Sequence, residues 1–80
     1  MSKTLSEQYL GSADEFQRLV MHAFSLPSVL RKVFLLCEVR GLPVEQAAEI
    51  LRIPITMATS RLEEARGEVI TRMEVETFLM

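Results

Sequence analysis

Between residues 56 and 66 the chain gathers hydroxyl and guanidinium groups on Thr56, Thr59, Ser60, Arg61 and Arg66. No general base stands beside any of them, so the chemistry open to this set is recognition. A guanidinium grips a phosphate or pairs with guanine O6 and N7, and hydroxyls donate to phosphate oxygens. Arg61 leads the set, Arg66 is suited to a backbone contact, and Thr59 is its weakest member. Each also has a structural role in competition. Thr56 is better suited to capping a helix start, Arg61 lies at helical spacing from Glu64 and Glu68, and Arg66 from Glu63.

The chain offers little for catalysis. It contains no glycine-rich phosphate loop, no cluster at metal-ligand spacing, and no serine–histidine or cysteine–histidine pair with an orienting acid. Glu63 and Glu64 are neighbours on a helix and splay apart, so they make no acid–base dyad. No catalytic, cofactor-binding or metal residue is therefore expected, and the chain reads as a non-enzyme. Cys37, beside Leu36 on an apolar stripe, reads as a small buried hydrophobe. His22 reads as a surface residue, and Met21, Met57 and Met73 as core filling or partner surface.

Side chains that read another molecule need a rigid support, and the spacing around them predicts one. A short helix over Val44–Leu51 is followed, after only Arg52-Ile53-Pro54, by a helix starting near Ile55 or Thr56 and running to about Phe78. Ala47 and Ala48 let a neighbouring helix approach closely. The pair forms a helix-turn-helix over about residues 44–66, a unit whose second helix enters the DNA major groove while the first crosses the backbone.

Two helices precede it. The first starts at Ser12 with a Ser12/Glu15 capping box and buries Phe16, Leu19, Val20, Ala23 and Phe24. Leu26-Pro27 ends it, because the residue before a proline avoids helical geometry. The second runs over Ser28–Arg40, with Gly41 at the left-handed position past its end. Gly67 in the last helix costs roughly 1 kcal/mol relative to alanine and marks a place for a bend or break. No strand pattern occurs. The fold expected is all-α, a single domain of four to five helices over residues 12–80, after a flexible segment 1–11.

The chain has 80 residues, of which 49% are hydrophobic and 25% charged. That suffices for one small core, about 60% of the unfolded surface being buried at this size. No apolar run approaches the roughly 20 residues of a membrane span. Met1 to Gly11 has neither the apolar run of a secretory signal nor the character of a transit peptide, and the single cysteine excludes an internal disulfide, so a cytoplasmic protein is expected. The net charge of −2 runs against DNA binding, which draws affinity from cations that displace counterions.

The run Leu26-Pro27, Arg31, Val33-Phe34-Leu35-Leu36, Gly41-Leu42, Ala48, Leu51, Ile53-Pro54, Ser60-Arg61-Leu62 and Ala65-Arg66 resembles region 4 of bacterial sigma factors, especially the extracytoplasmic-function type. The resemblance covers about half the chain. It implies a domain that lays its last helix in the promoter minus-35 element and docks an apolar surface on the β-flap of RNA polymerase. Complete sigma factors carry a separate region 2, for which this chain is too short. The implied partners are double-stranded promoter DNA, bound weakly by the domain alone, the polymerase β-flap, and a second copy of the chain. No cofactor and no membrane are implied.

The departures from the pattern lie where DNA chemistry belongs. Thr59 stands where the family has lysine, and Glu63 and Glu64 where it has basic or histidine residues. Pro43 replaces a capping serine or threonine, and Arg52 the turn glycine. Two readings follow. One is a DNA-binding transcription regulator; the other keeps the fold as a protein-interaction module, with the acidic tail and Phe78, Leu79 and Met80 serving a homodimer or a polymerase or sigma partner.

Overall fold

A computed structural model describes residues 13–79 and contains, in order, α1 (Ala13–Ser25), α2 (Ser28–Phe34) continuing into a π-helical turn (Leu35–Val39), α3 (Val44–Leu51) and α4 (Ile55–Leu79). No strand occurs among the described residues. The segment 1–11 and the Ser12 half of the capping box lie outside them.

Prolines set the helix starts. Pro27 and Pro43 are both extended, with ψ of 148° and 150°. Their carbonyls take the first helical hydrogen bonds: Leu30 and Arg31 N–H donate to Pro27 at 3.0 and 2.9 Å, and Gln46 and Ala47 N–H to Pro43 at 3.1 Å. Neither start uses a side-chain cap. The ring fixes φ and forgoes a donor that a first turn leaves unpaired anyway, so α3 begins where a serine or threonine cap would have put it.

The second helix follows its expected course but not its expected geometry. Its last turn is π-helical, with Arg40 N–H donating to Leu35 O and Leu42 N–H to Leu36 O, each at 2.9 Å. Gly41, at φ +78°, reverses the chain there. The wider turn admits an extra residue, and both Cys37 and Glu38 end up buried.

Apolar side chains fill two clusters that share α2 and α4. Leu30 and Phe34 join Leu19, Ala23, Leu26, Ala65, Val69 and Met73, while Val33 and Cys37 join Ala47, Ala48 and Ala58. Phe34 is fully buried, which stabilises the fold by about 2–3 kcal/mol relative to exposure. Phe16 is only partly buried and Phe24 is exposed, so the stripe on α1 is narrower than its periodicity predicts.

α4 serves both clusters, Ala58 one and Ala65, Val69 and Met73 the other. That explains why it runs on through Gly67 as a single helix, Ile55–Leu79, with packing on both sides and no break into two helices there. His22 also departs from expectation. It is half-buried, with Nε2 2.6 Å from Glu76 Oε1, and Arg18 Nη1 lies 3.9 Å from Glu76 Oε2. The geometry there is not that of a hydrogen bond, and the contact is a close approach between α1 and the end of α4.

Candidate nucleic-acid interface

Three alanines make the corner between α3 and α4. Ala47, Ala48 and Ala58 are each almost fully buried, and with no larger side chain between them the two helix backbones approach closely. Ile53, Leu51 and Leu62 pack around them.

The turn closes as a Schellman motif. Ile53 N–H donates to Ala48 O at 3.0 Å and Arg52 N–H to Glu49 O at 3.2 Å, with Ile53 packed on the same cluster. The geometry needs a left-handed residue, and Arg52 supplies it at φ 57°, ψ 46°. A side chain there costs on the order of 1 kcal/mol, which a glycine would avoid. The arginine is exposed beside the start of α4. Sequence reasoning read it only as a missing glycine; its place in the turn was the signal that a cation stands next to the candidate site.

Beyond the turn, α4 presents its first half to solvent. Thr56, Ser60, Glu63 and Gly67 are exposed and at about 100° per residue fall on one ridge, opposite buried Ala58 and Ala65. Thr59, half-buried, borders the ridge on one side, while Arg61, also half-buried, starts more than a third of a turn round on the other side, beyond Glu64. The structure thus brings Thr56 and Ser60 together on one exposed ridge bordered by Thr59, and leaves Arg61 at its far side, where its long side chain must reach round α4 to join them. Among the described residues no hydrogen bond or ion pair engages these four side chains. The alternative partners proposed for Arg61 do not take it: Glu68 instead lies 3.9 Å from Arg72. Nor does Thr56 cap α4, whose first turn donates to the Pro54 carbonyl from Ala58 N–H at 3.0 Å.

Arg66 is placed elsewhere. It lies about a quarter-turn from the ridge, and its Nε is 3.0 Å from Oε1 of Glu38 in the π turn. Pairing with Glu63 is therefore replaced by a bridge to α2's end. Sequence spacing gave no hint of it, because the partners are far apart in the chain.

The electrostatics are mixed. Glu63 and Glu64 stand exposed on and beside the ridge, while Arg52 stands at its start and Arg61 farther round α4. Cys37 is buried beneath the corner, and burial, followed by the nearby Glu38 and Glu45 carboxylates, pushes its thiol above the ordinary range against a smaller opposing effect of Arg66. It is a protonated packing group and not a nucleophile. Among the described residues no group of three or more His, Cys, Asp or Glu side chains is placed to hold a metal.

The sigma-70 region 4 family model matches residues 25–69, which hold α2, the π turn, α3 and α4 as far as Val69. The chain belongs to the sigma-70 region 4 family. Comparisons with curated proteins and with solved structures returned no match. Region 4 domains are helix-turn-helix modules that bind promoter DNA and RNA polymerase, and the corner described above is that unit. Most of α1 lies outside the matched residues, yet Leu19 and Ala23 complete the core around Phe34 and Val69. Among the described residues no helix is long and apolar enough to cross a membrane.

Proposed function

We propose that this region 4 domain is a transcription regulator of the extracytoplasmic-function type, working in the cytoplasm, that lays the first half of α4 in the major groove of minus-35-type promoter DNA. The observation that carries this reading is the exposed ridge of Thr56 and Ser60, with Arg61 farther round the same turns of α4, all three without competing partners among the described residues, on an alanine-packed corner. Arg61 grips a phosphate or a guanine edge, Thr56, Ser60 and Thr59 donate to phosphates, and Arg52 adds a backbone contact from the turn. Glu63 and Glu64 repel phosphate and keep the isolated domain weak, so docking on the polymerase β-flap supplies the effective concentration that the charges do not.

The test is a fluorescence-anisotropy titration of a random-sequence duplex pool at two salt concentrations, with Arg61→Ala alongside. Binding that weakens with salt, and a loss of tenfold or more in the variant, is the expected result. Absence of duplex binding at low salt contradicts the reading.

A second reading, a protein-interaction module or homodimer, has one observation in its favour. Met21 and Phe24 on α1 and Val75, Phe78 and Leu79 on α4 are exposed large hydrophobics, Phe78 at 89%, and the His22–Glu76 contact draws the two helices together near them. Sedimentation across a concentration series distinguishes it: a dimer that persists where DNA binding is absent supports this reading over the first.

A further inference from the structure

The alanine corner raises a question of orientation. Ala47, Ala48 and Ala58 let α3 and α4 approach closely, while Ala65, Val69 and Met73 hold the axis of α4 on the main core by apolar contacts. A turn of about 20° moves a side-chain tip on a helix of this radius by roughly 2 Å. Hydrogen bonds tolerate a few tenths of an ångström. A directional contact, added to that packing, would narrow the angle at which α4 shows its ridge.

Glu38 and Arg66 have the properties required. Glu38 is the one buried charged residue among those described, at 4% exposure. It sits in the π turn, where the extra residue changes the direction of the side chains that follow. Arg66 stands on α4 between Leu62, which packs on the corner cluster, and Val69, which packs on the main core. Their 3.0 Å contact, Arg66 Nε to Glu38 Oε1, is charge-assisted and directional where the neighbouring contacts are not.

We infer that the Glu38–Arg66 bridge is the lock that sets the angle of the recognition helix, and that Arg66 is a positioning residue and not a DNA contact. The inference rests on the DNA-reading function proposed above. It assigns a role to the π turn, to the buried carboxylate and to an arginine that the sequence alone places among the contacts. Burying an ion pair is a weak source of stability, and fixing one arrangement among several is its best-attested use.

The test exploits a sign. Removing a carboxylate from a DNA-binding protein lessens repulsion of phosphate, so electrostatics alone make Glu38→Gln bind duplex more tightly. A lock makes it bind more weakly. The full chain, Glu38→Gln, Arg66→Ala and the double variant are titrated with the labelled random duplex pool, with affinities corrected to the folded fraction seen by circular dichroism. Expected are losses of about tenfold for each single variant, the size of one good contact. The double variant is expected to be no worse than the weaker single one, and Arg66→Ala to keep the parent's salt dependence. Should Arg66→Ala not fold, Arg66→Met, which keeps most of the aliphatic stem, carries the same readouts.

Glu38→Gln binding as well as or better than the parent overturns the lock, as does an Arg66 variant whose salt slope falls by about one phosphate contact. A parent chain that shows no salt-sensitive duplex binding and no response to Arg61→Ala overturns the DNA reading, and the lock with it. A parent that binds while Glu38→Gln is neutral overturns the lock alone.

Discussion

The same substitution at two glycines should move stability in opposite directions. Gly67 lies within α4, is exposed, and a Cβ built there meets no atom within 4 Å. Alanine at Gly67 therefore buries nothing and clashes with nothing, and the whole effect is helix propensity, about 1 kcal/mol in its favour. Gly41 is equally open, again with nothing within 4 Å, but its φ is +78°. Alanine pays 1–2 kcal/mol for the left-handed backbone, partly offset by a stiffer unfolded chain, for a net loss of about 1 kcal/mol. For a domain of this size each kcal/mol shifts Tm by roughly 4–8 °C. Gly67→Ala and Gly41→Ala should thus bracket the parent, with midpoints about 10 °C apart. Thermal and urea melts followed at 222 nm measure both. A Gly67→Ala variant that is neutral or destabilised would refute the reasoning, because it would mean that α4 is broken or bent at residue 67 in solution.

Three further outcomes follow from the same geometry. Arg52→Gly relieves the left-handed arginine of the turn and should raise stability by about 1 kcal/mol, read in the same melts. Ala58→Leu forces a branched side chain into the closest approach of α3 and α4. It should cost about 1–3 kcal/mol out of the roughly 4–12 kcal/mol typical of a domain this long, with a matching fall in urea midpoint and loss of any duplex binding. Cys37 should react with iodoacetamide roughly a hundredfold more slowly in buffer than in urea, through local opening. Because its thiol is raised in the folded state, the fold holds that proton more tightly than the unfolded chain does. The stability linked to the thiol is therefore complete below the ordinary thiol range and lost as pH rises through and beyond it. Urea midpoints of the parent should accordingly fall in mildly alkaline buffer more than those of Cys37→Ala.

What the sequence made legible was local. α3 has the bounds its punctuation predicts, Val44–Leu51, because Pro43 and Arg52-Ile53-Pro54 decide both ends within a few residues. Gly41 ends the second helix for the same reason. The π turn was not legible, since five residues of apolar stripe look alike at either pitch. The continuity of α4 through Gly67 depends on Ala65, Val69 and Met73 meeting α1 and α2, partners a local reading does not see. The charged contacts were the least accessible. His22 with Glu76 and Arg66 with Glu38 join residues distant in the chain, while the neighbours at helical spacing, Glu63 for Arg66 and Glu64 or Glu68 for Arg61, turned out not to be the partners. Of the candidate site, the residue types and their shared helix were readable; which of them stand on the exposed surface required the fold.

The central claim is that the first half of α4 faces DNA, and amide chemical-shift mapping tests it most directly. The labelled chain is titrated with duplex at low salt and its amide shifts are followed in two-dimensional NMR spectra. Perturbations centred on residues 55–64, with weaker ones at the start of α3 and at Arg52, are the predicted result. Perturbations confined to Met21, Phe24 and residues 75–79, or none at saturating duplex, would contradict it.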